Sequence, residues 1–241
     1  MDIKGKVELA IQNLVDFSQQ YQPAVFSTSL SAEDMVLLDL IDLAAIDVGI
    51  FTLDTGRLPP QTYDVLSQAQ KRYKRPIQVL FPDTQEVETF SIQHGVNSFY
   101  DSKERRKQCC NIRKVKPLRR ALAGKKLWIT GLRSAQSVAT RSDLELVSWD
   151  ATNEIHKLNP LLDWSTEEIF AYAKSHDVPV SDLYRQGYTS IGCAPCTRPI
   201  QDGEDERAGR WWWEDVESKE CGLHVDNQGR LVRTNQETLR N

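Results

Sequence analysis

The chain has 241 residues, 40% hydrophobic and 27% charged, which fits one large globular domain or two small ones. No apolar run approaches the roughly 18 residues of a membrane span: the longest, 36–51, is broken by Asp39, Asp42 and Asp47. The N-terminal stretch lacks the uninterrupted apolar core of a secretory signal, so the cytoplasm is the expected compartment.

In chain order, residues 24–28 predict a buried strand. Ser31 predicts a helix cap, with Glu33 and Asp34 in the first turn where carboxylates suit the helix dipole, and the helix runs through 35–44. A second strand, 48–53, ends in Asp54-Thr55-Gly56. Helix 59–73, strand 77–81 and helix 85–94 follow. A basic helical region, 111–122, precedes a strand at 125–131. Trp164-Ser-Thr-Glu-Glu168 is a capping box opening a helix through Ser175. Strands alternating with helices predict an open, mostly parallel α/β sheet with helices on both faces. Beyond about residue 200 the pattern lapses. Residues 1–200 read as the α/β domain and 201–241 as a flexible tail, whose polar, acidic start (201–209) reads as a linker.

Net charge is −4, which argues against a nucleic-acid binder, but the charge is uneven. Residues 103–126 hold eleven Lys or Arg against one acid, Glu104, and 201–224 hold eight acids against Arg207, Arg210 and Lys219. A charge run is often only a solvated face. Here two cysteines, Cys109 and Cys110, sit inside the basic run. The other three cysteines are Cys193, Cys196 and Cys221, and an odd total argues against a disulfide framework. Cys193-Ala-Pro-Cys196 alone reads as a redox dithiol, a zinc half-site, an iron–sulfur half-site or two inert thiols. With Cys109-Cys110 it completes four thiols, enough for a [4Fe–4S] cluster or a structural zinc. Spacing favours the cluster, because neighbouring cysteines crowd one zinc tetrahedron but serve different corners of a cubane. Cys221 is left over, in an exposed Gly-containing tail with Arg207 and Arg210 upstream. Nearby positive charge favours the reactive thiolate.

The loop Ser27-Thr-Ser-Leu-Ser31 follows a strand and opens a helix, a place where backbone N–H groups meet anions. It lacks the glycines and lysine of a Walker A loop. Leu53-Asp-Thr-Gly56 and Thr130-Gly-Leu-Arg133 end strands on the same edge of a parallel sheet, where ligands bind, and Gly131 permits close backbone approach.

These pieces resemble the assimilatory sulfonucleotide reductases, the adenylyl-sulfate and phosphoadenylyl-sulfate reductases, over residues 24–225. Cys109-Cys110, Cys193-Ala-Pro-Cys196 and Glu220-Cys-Gly-Leu-His224 carry the resemblance most specifically. Ser29-Leu-Ser-Ala-Glu-Asp34 is similar to the family's modified PP-loop, with Ser31 where many members have glycine. The resemblance implies an adenine-nucleotide α-hydrolase-like (PP-loop) fold and a [4Fe–4S] cluster on Cys109, Cys110, Cys193 and Cys196. It also implies thioredoxin- or glutaredoxin-dependent reduction of adenylyl sulfate to sulfite and AMP through an S-sulfocysteine on Cys221. Phosphoadenylyl sulfate, alone or as a second substrate, is the alternative. By the same resemblance Lys114, Arg141, Arg207 and Arg210 clamp the phosphosulfate. Ser27, Ser29, Leu53, Thr55 and Gly131 line the adenosine pocket, and His224 helps place the tail or the thiolate. No nucleic-acid or membrane partner is expected, and a homo-oligomer is left open. Two competing readings are an ATP-using PP-loop enzyme such as a tRNA thiolase, and a redox-sensing nucleic-acid binder built on 103–126.

Overall fold

The structure is a computed structural model that describes residues 2–136 and 144–214. Six strands form one sheet: β1 (Ala24–Thr28), β2 (Gly49–Leu53), β3 (Ile77–Leu80), β4 (Leu127–Ile129), β5 (Val147–Asp150) and β6 (Ile155–Leu158). Their spatial order is β3-β2-β1-β4-β6-β5. All neighbours run parallel except β5, which pairs antiparallel with β6 at one edge.

The central strands are apolar on both faces, as a sheet covered on both sides requires. Phe26, Ile50 and Ile129 face the larger core, which is filled by α2 (Ala32–Ala44) with α1 (Ile3–Gln20), α3 (Pro60–Arg72) and α7 (Thr166–Ser175). Every residue from Met35 to Ile41 is buried, so α2 is a central helix rather than a surface one. Val25, Phe51 and Trp128 face the other way, onto Leu118 and Leu122 of α6 (Lys116–Leu122). Beyond β3 lies α4 (Thr84–His94). Among the described residues no helix is long and apolar enough to cross a membrane.

The capping box forms as expected: Ser165 accepts from the Glu168 N–H, and the Glu168 side chain accepts from the Ser165 N–H. The expected cap at Ser31 does not form. Ser31 occupies the N-cap position, but its side chain makes no capping bond. The Ala32 N–H instead donates to the Tyr184 hydroxyl at 2.9 Å, from the far end of the sequence. The left-handed backbone of this loop lies at Leu30 (φ 63°), whereas Ser31 is extended at φ −70°, a conformation that needs no glycine.

The basic region is one continuous right-handed helix with a defect. α5 (Lys103–Cys110) passes into a π-turn, Asn111–Val115, and then into α6. The Lys116 N–H reaches back five residues to the Asn111 carbonyl. Pro117, which has no N–H to give, follows immediately, so α-type bonding is already broken here. The widened turn comes directly after Cys110 and carries Arg113 and Lys114, at the kind of place where π-bulges mark functional sites.

After α7 the chain runs through single turns. In the stretch expected as a linker, Arg198 grips the Glu204 carboxylate with two 2.8 Å bonds, and the Thr189 hydroxyl donates to the Glu206 carbonyl. Thr197 bridges Arg210 across two short segments, and Trp211 is buried.

Candidate active site

β1 stands between β2 and β4. The chain first builds outward through β2 and β3, then returns to β4 on the other side. That reversal leaves a crevice at the carboxyl ends of the strands, the usual ligand position in an open α/β sheet. Ser27, Ser29, Leu53, Thr55, Lys114, Gly131, Arg207 and Arg210 all line this one cleft. Residues more than 180 positions apart in the sequence thus meet in one cleft. Arg141, Cys221 and His224 lie outside the described residues.

The cleft floor is fixed by short bonds. The Trp128 indole N–H donates to Ser27 Oγ at 2.8 Å. The Ser29 N–H and hydroxyl both donate to Asp34 Oδ2 at 2.6 Å, and the Gly131 N–H also bonds this carboxyl. Burial pushes the Asp34 pKa up to about 6, against the pull of the Ser29 bonds. A Cβ on Gly131 would collide with Asp34 Oδ1 and lie 3.3 Å from both Asp34 Cγ and Asp34 N, so glycine is needed there for space. Glu33, the neighbouring acid, is held by Arg133 at 2.7 Å in a nearly buried pair.

Cys109, Cys110, Cys193 and Cys196 are all buried and line a second, smaller cavity. Two come from the last turn of α5 and two from the single turn Ala194–Cys196 and its cap. Arg57, Arg106, Arg113 and Lys114 stand around it, as do Phe99 and Trp211. The Arg113 guanidinium donates to the Thr55 carbonyl at 2.6 Å, and the Thr55 hydroxyl lies 3.3 Å from Cys193 Sγ. Burial opposes ionisation of Cys193, but Lys114, the Thr55 bond, Arg210 and Arg113 outweigh it and hold this thiol below its usual range. Burial and the adjacent Cys193 sulfur push Cys196 up to about 11. Among the described residues no three His, Cys, Asp or Glu side chains are grouped as a single metal ion would need.

Lys114, Arg210 and Trp211 belong to both cavities' surroundings: Lys114 and Trp211 line each of them, and Arg210 lines the cleft while acting on Cys193. Arg210 packs over Gly192, where any side chain would strike its guanidinium. Sequence reasoning missed Arg113, Trp211 and the inward turn of Asp34. For Arg113 the signal was present, because it adjoins Lys114 in the cysteine-bearing basic run. For Asp34 none was available, since an acid in a first helical turn looks like an ordinary dipole partner.

A parallel α/β domain with a strand–loop–helix crevice and cations at its mouth defines a nucleotide-binding protein of the PP-loop kind. Comparison with known proteins narrows the class. The Phosphoadenosine phosphosulfate reductase domain family matches residues 23–199. Adenosine 5'-phosphosulfate reductase of Allochromatium vinosum is 49% identical over 215 residues, covering 89% of this chain and 84% of that protein. The Burkholderia cepacia protein of the same name is 46% identical over 224 residues, with 93% and 89% covered. The crystal structure of phosphoadenylyl-sulfate (PAPS) reductase from Candida auris superposes with a TM-score of 0.68 at 27% identity, covering 81% of this chain and 94% of that one. Candida glabrata FMN adenylyltransferase with ATP shares the fold alone, at a TM-score of 0.57 and 16% identity, with 90% and 74% covered. The chain belongs to the phosphoadenosine phosphosulfate reductase family.

Proposed function

We propose that the chain reduces adenylyl sulfate to sulfite and AMP, with Cys221 as nucleophile and a thioredoxin- or glutaredoxin-type dithiol as reductant. We also propose that Cys109, Cys110, Cys193 and Cys196 hold a [4Fe–4S] cluster. The observation that carries the reading is the shared wall: Lys114 and Trp211 line both a nucleotide cleft and a cavity bounded by four thiols. The names of the relatives at 46–49% identity supply the substrate class.

The donor set fits the cluster on its own terms. Four buried thiols enclose one space, cations flank it, and the buried Trp211 indole N–H has no partner among the described residues. When bound, the cluster would supply a fixed electrostatic centre beside the substrate anion.

The chain's own residues account for the rest. The Ser27–Ser29 edge, Leu53, Thr55 and Gly131 take the adenosine. Lys114, Arg207 and Arg210, with Arg141, hold the phosphosulfate and offset charge as it develops. The Cys221 thiolate attacks the sulfur, the sulfur–oxygen bond to the phosphate breaks, and AMP leaves with that oxygen and the electron pair. The product is an S-sulfocysteine. A thiolate of the reductant then attacks Cys221 Sγ, and sulfite leaves with the sulfur–sulfur bonding pair. The second thiol resolves the mixed disulfide, returning the Cys221 thiolate, so both electrons come from the dithiol. His224 stands three residues beyond Cys221 and helps place it.

The test is the intact mass of anaerobically purified protein after incubation with adenylyl sulfate and no reductant. A sulfo adduct is expected on wild type and not on Cys221→Ser, and thioredoxin should remove it with release of sulfite. No adduct on protein of full iron and sulfide content would defeat the reading. Phosphoadenylyl sulfate run in parallel separates the two substrates.

A further inference from the structure

Among the described residues three acids line the nucleotide cleft, Glu33, Asp34 and Glu206, beside the cations Lys114, Arg207 and Arg210. A cleft that takes a phosphosulfate has to keep those carboxylates off its cations. Asp34 is tied to Ser29 and Glu33 to Arg133. Glu206 is held from outside the cleft lining: the Thr166 hydroxyl donates to Glu206 Oε1 at 2.6 Å. Arg133 Nη2 in turn donates to Thr166 Oγ1 at 3.2 Å and to Glu33 Oε1 at 2.7 Å. Because the Thr166 oxygen accepts from a cation, its one proton is left for Glu206. The buried Arg133 guanidinium thus restrains two of the three acids, Glu33 directly and Glu206 through one hydroxyl. Glu206 needs the restraint. Thr166 opens α7, whose first turn already carries Glu167 and Glu168, so a third carboxylate is repelled there unless something holds it. The main chain at this point is fixed independently. The Thr189 hydroxyl donates to the Glu206 carbonyl at 2.6 Å, and the Arg210 N–H to the Arg207 carbonyl at 2.9 Å. Thr166 therefore decides where the Glu206 charge points, not where the chain runs.

Resting on the reductase reading above, we propose that Thr166 is a positioning residue for anion binding, whose hydroxyl holds the Glu206 carboxylate out of the phosphosulfate site. Without that hydroxyl, Glu206 turns on its fixed main chain toward the cations that line the same cleft, Arg207 and Arg210. It then competes with the substrate anion for them. The effect falls on the charged end of the ligand only, because adenosine carries no charge to be displaced. It also depends wholly on the Glu206 charge, so removing that charge makes the Thr166 hydroxyl dispensable.

The test is calorimetric binding of adenylyl sulfate and of adenosine to anaerobically purified protein, in a Cys221→Ser background so that nothing turns over. Thr166→Val keeps the side-chain shape and loses the hydroxyl, while Arg133 keeps Glu33 and the Trp164 carbonyl. It should weaken adenylyl sulfate about threefold to fivefold, the size of a partly exposed ion pair, and more at low salt. Adenosine affinity should hold, and Thr166→Ser should behave as the parent. Glu206→Gln should bind adenylyl sulfate at least as tightly as the parent, and adding Thr166→Val to it should change nothing further. If Thr166→Val does not fold, Glu206→Asp takes its place. It keeps the charge but falls one methylene short of the hydroxyl, and it should show the same selective loss, which Glu206→Gln should not. Unchanged adenylyl sulfate affinity in Thr166→Val, or in Glu206→Asp where that stands in, would overturn the proposal. So would a double variant as weak as Thr166→Val alone, or a parallel fall of adenosine affinity, since either marks a purely structural hydroxyl. A parent that binds adenylyl sulfate no more tightly than adenosine would defeat the cation clamp of the reductase reading itself.

Discussion

The nucleotide cleft and the four-cysteine cavity share a wall but are made by different means. The cleft rests on the ends of regular strands, and its nearby acids are tied inward, Asp34 to Ser29 and Glu33 to Arg133. The cavity is made of irregular pieces: a π-turn, a single helical turn, and the Arg210–Glu214 strap. Cations flank it. A sheet edge holds backbone groups at fixed spacing, which suits recognition of a flat base and a ribose. Long cationic side chains held on short irregular segments suit a charge that changes during reaction. If the four thiols hold the proposed cluster and the two regions are separable, Cys193→Ser should lose nearly all iron and sulfide while AMP still binds within about threefold of wild type. Loss of AMP binding together with the iron would show one cooperative unit instead, joined through the Thr55–Cys193 contact.

A second test probes the cleft alone. Asp34 has a folded-state pKa of about 6 against an ordinary 3.8. Between those values the folded protein holds a proton that the unfolded chain has released. The stabilisation is therefore complete below about pH 4 and is lost as pH rises through 6. The full span is 6 − 3.8, about two pKa units, or roughly 3 kcal/mol. Chemical denaturation from pH 4 to 7 should show this slope in wild type and a flattened one in Asp34→Asn. An identical slope in both would mean that another group titrates there.

Lys114 belongs to both regions, so its removal should affect both. A charge-assisted hydrogen bond contributes about 1.5–3 kcal/mol. Lys114→Ala should therefore weaken adenylyl sulfate binding and adduct formation by about tenfold or more, with little change in melting temperature. Unchanged affinity and rate would remove Lys114 from the site.

How much of this was legible in the sequence differs between the two regions. The central strands and α2 announced themselves by dense apolar runs. The Ser27, Leu53 and Gly131 edges followed from strand ends in a parallel sheet. The four cysteines were visible as thiols, though only the fold brings residues 109 and 196 to one cavity. α1 and the β5–β6 pair escaped notice. α1 has a mixed polar surface, and only Ala10, Leu14 and Ser18 are buried. β5 is an edge strand with Trp149 44% exposed, so neither carries a strong periodic signal. The Ser31 cap was read from residue type alone. The hydroxyl that satisfies Ala32 belongs to Tyr184, 152 positions away, and no local rule reaches that far.

The smallest expected effect tests the most local claim, that Gly131 is fixed by Asp34 rather than by the ligand. Its φ is not among the positive values, so backbone freedom is not the reason for glycine here. The reason is space, because a methyl group would press on the buried Asp34 carboxyl that also bonds Ser29. Overpacking of this kind costs about 1–3 kcal/mol. For a domain of this size that is a fall in melting temperature of roughly 2–12 °C. The cost should appear without nucleotide. Combined with Asp34→Ala, which removes the obstructing oxygen, Gly131→Ala should destabilise far less than it does alone, giving a coupling of the size seen for residues in contact. If Gly131→Ala is neutral in the free protein and harmful only to AMP binding, the close approach is made by the ligand. The inward tie of Asp34 would then not be what shapes the cleft.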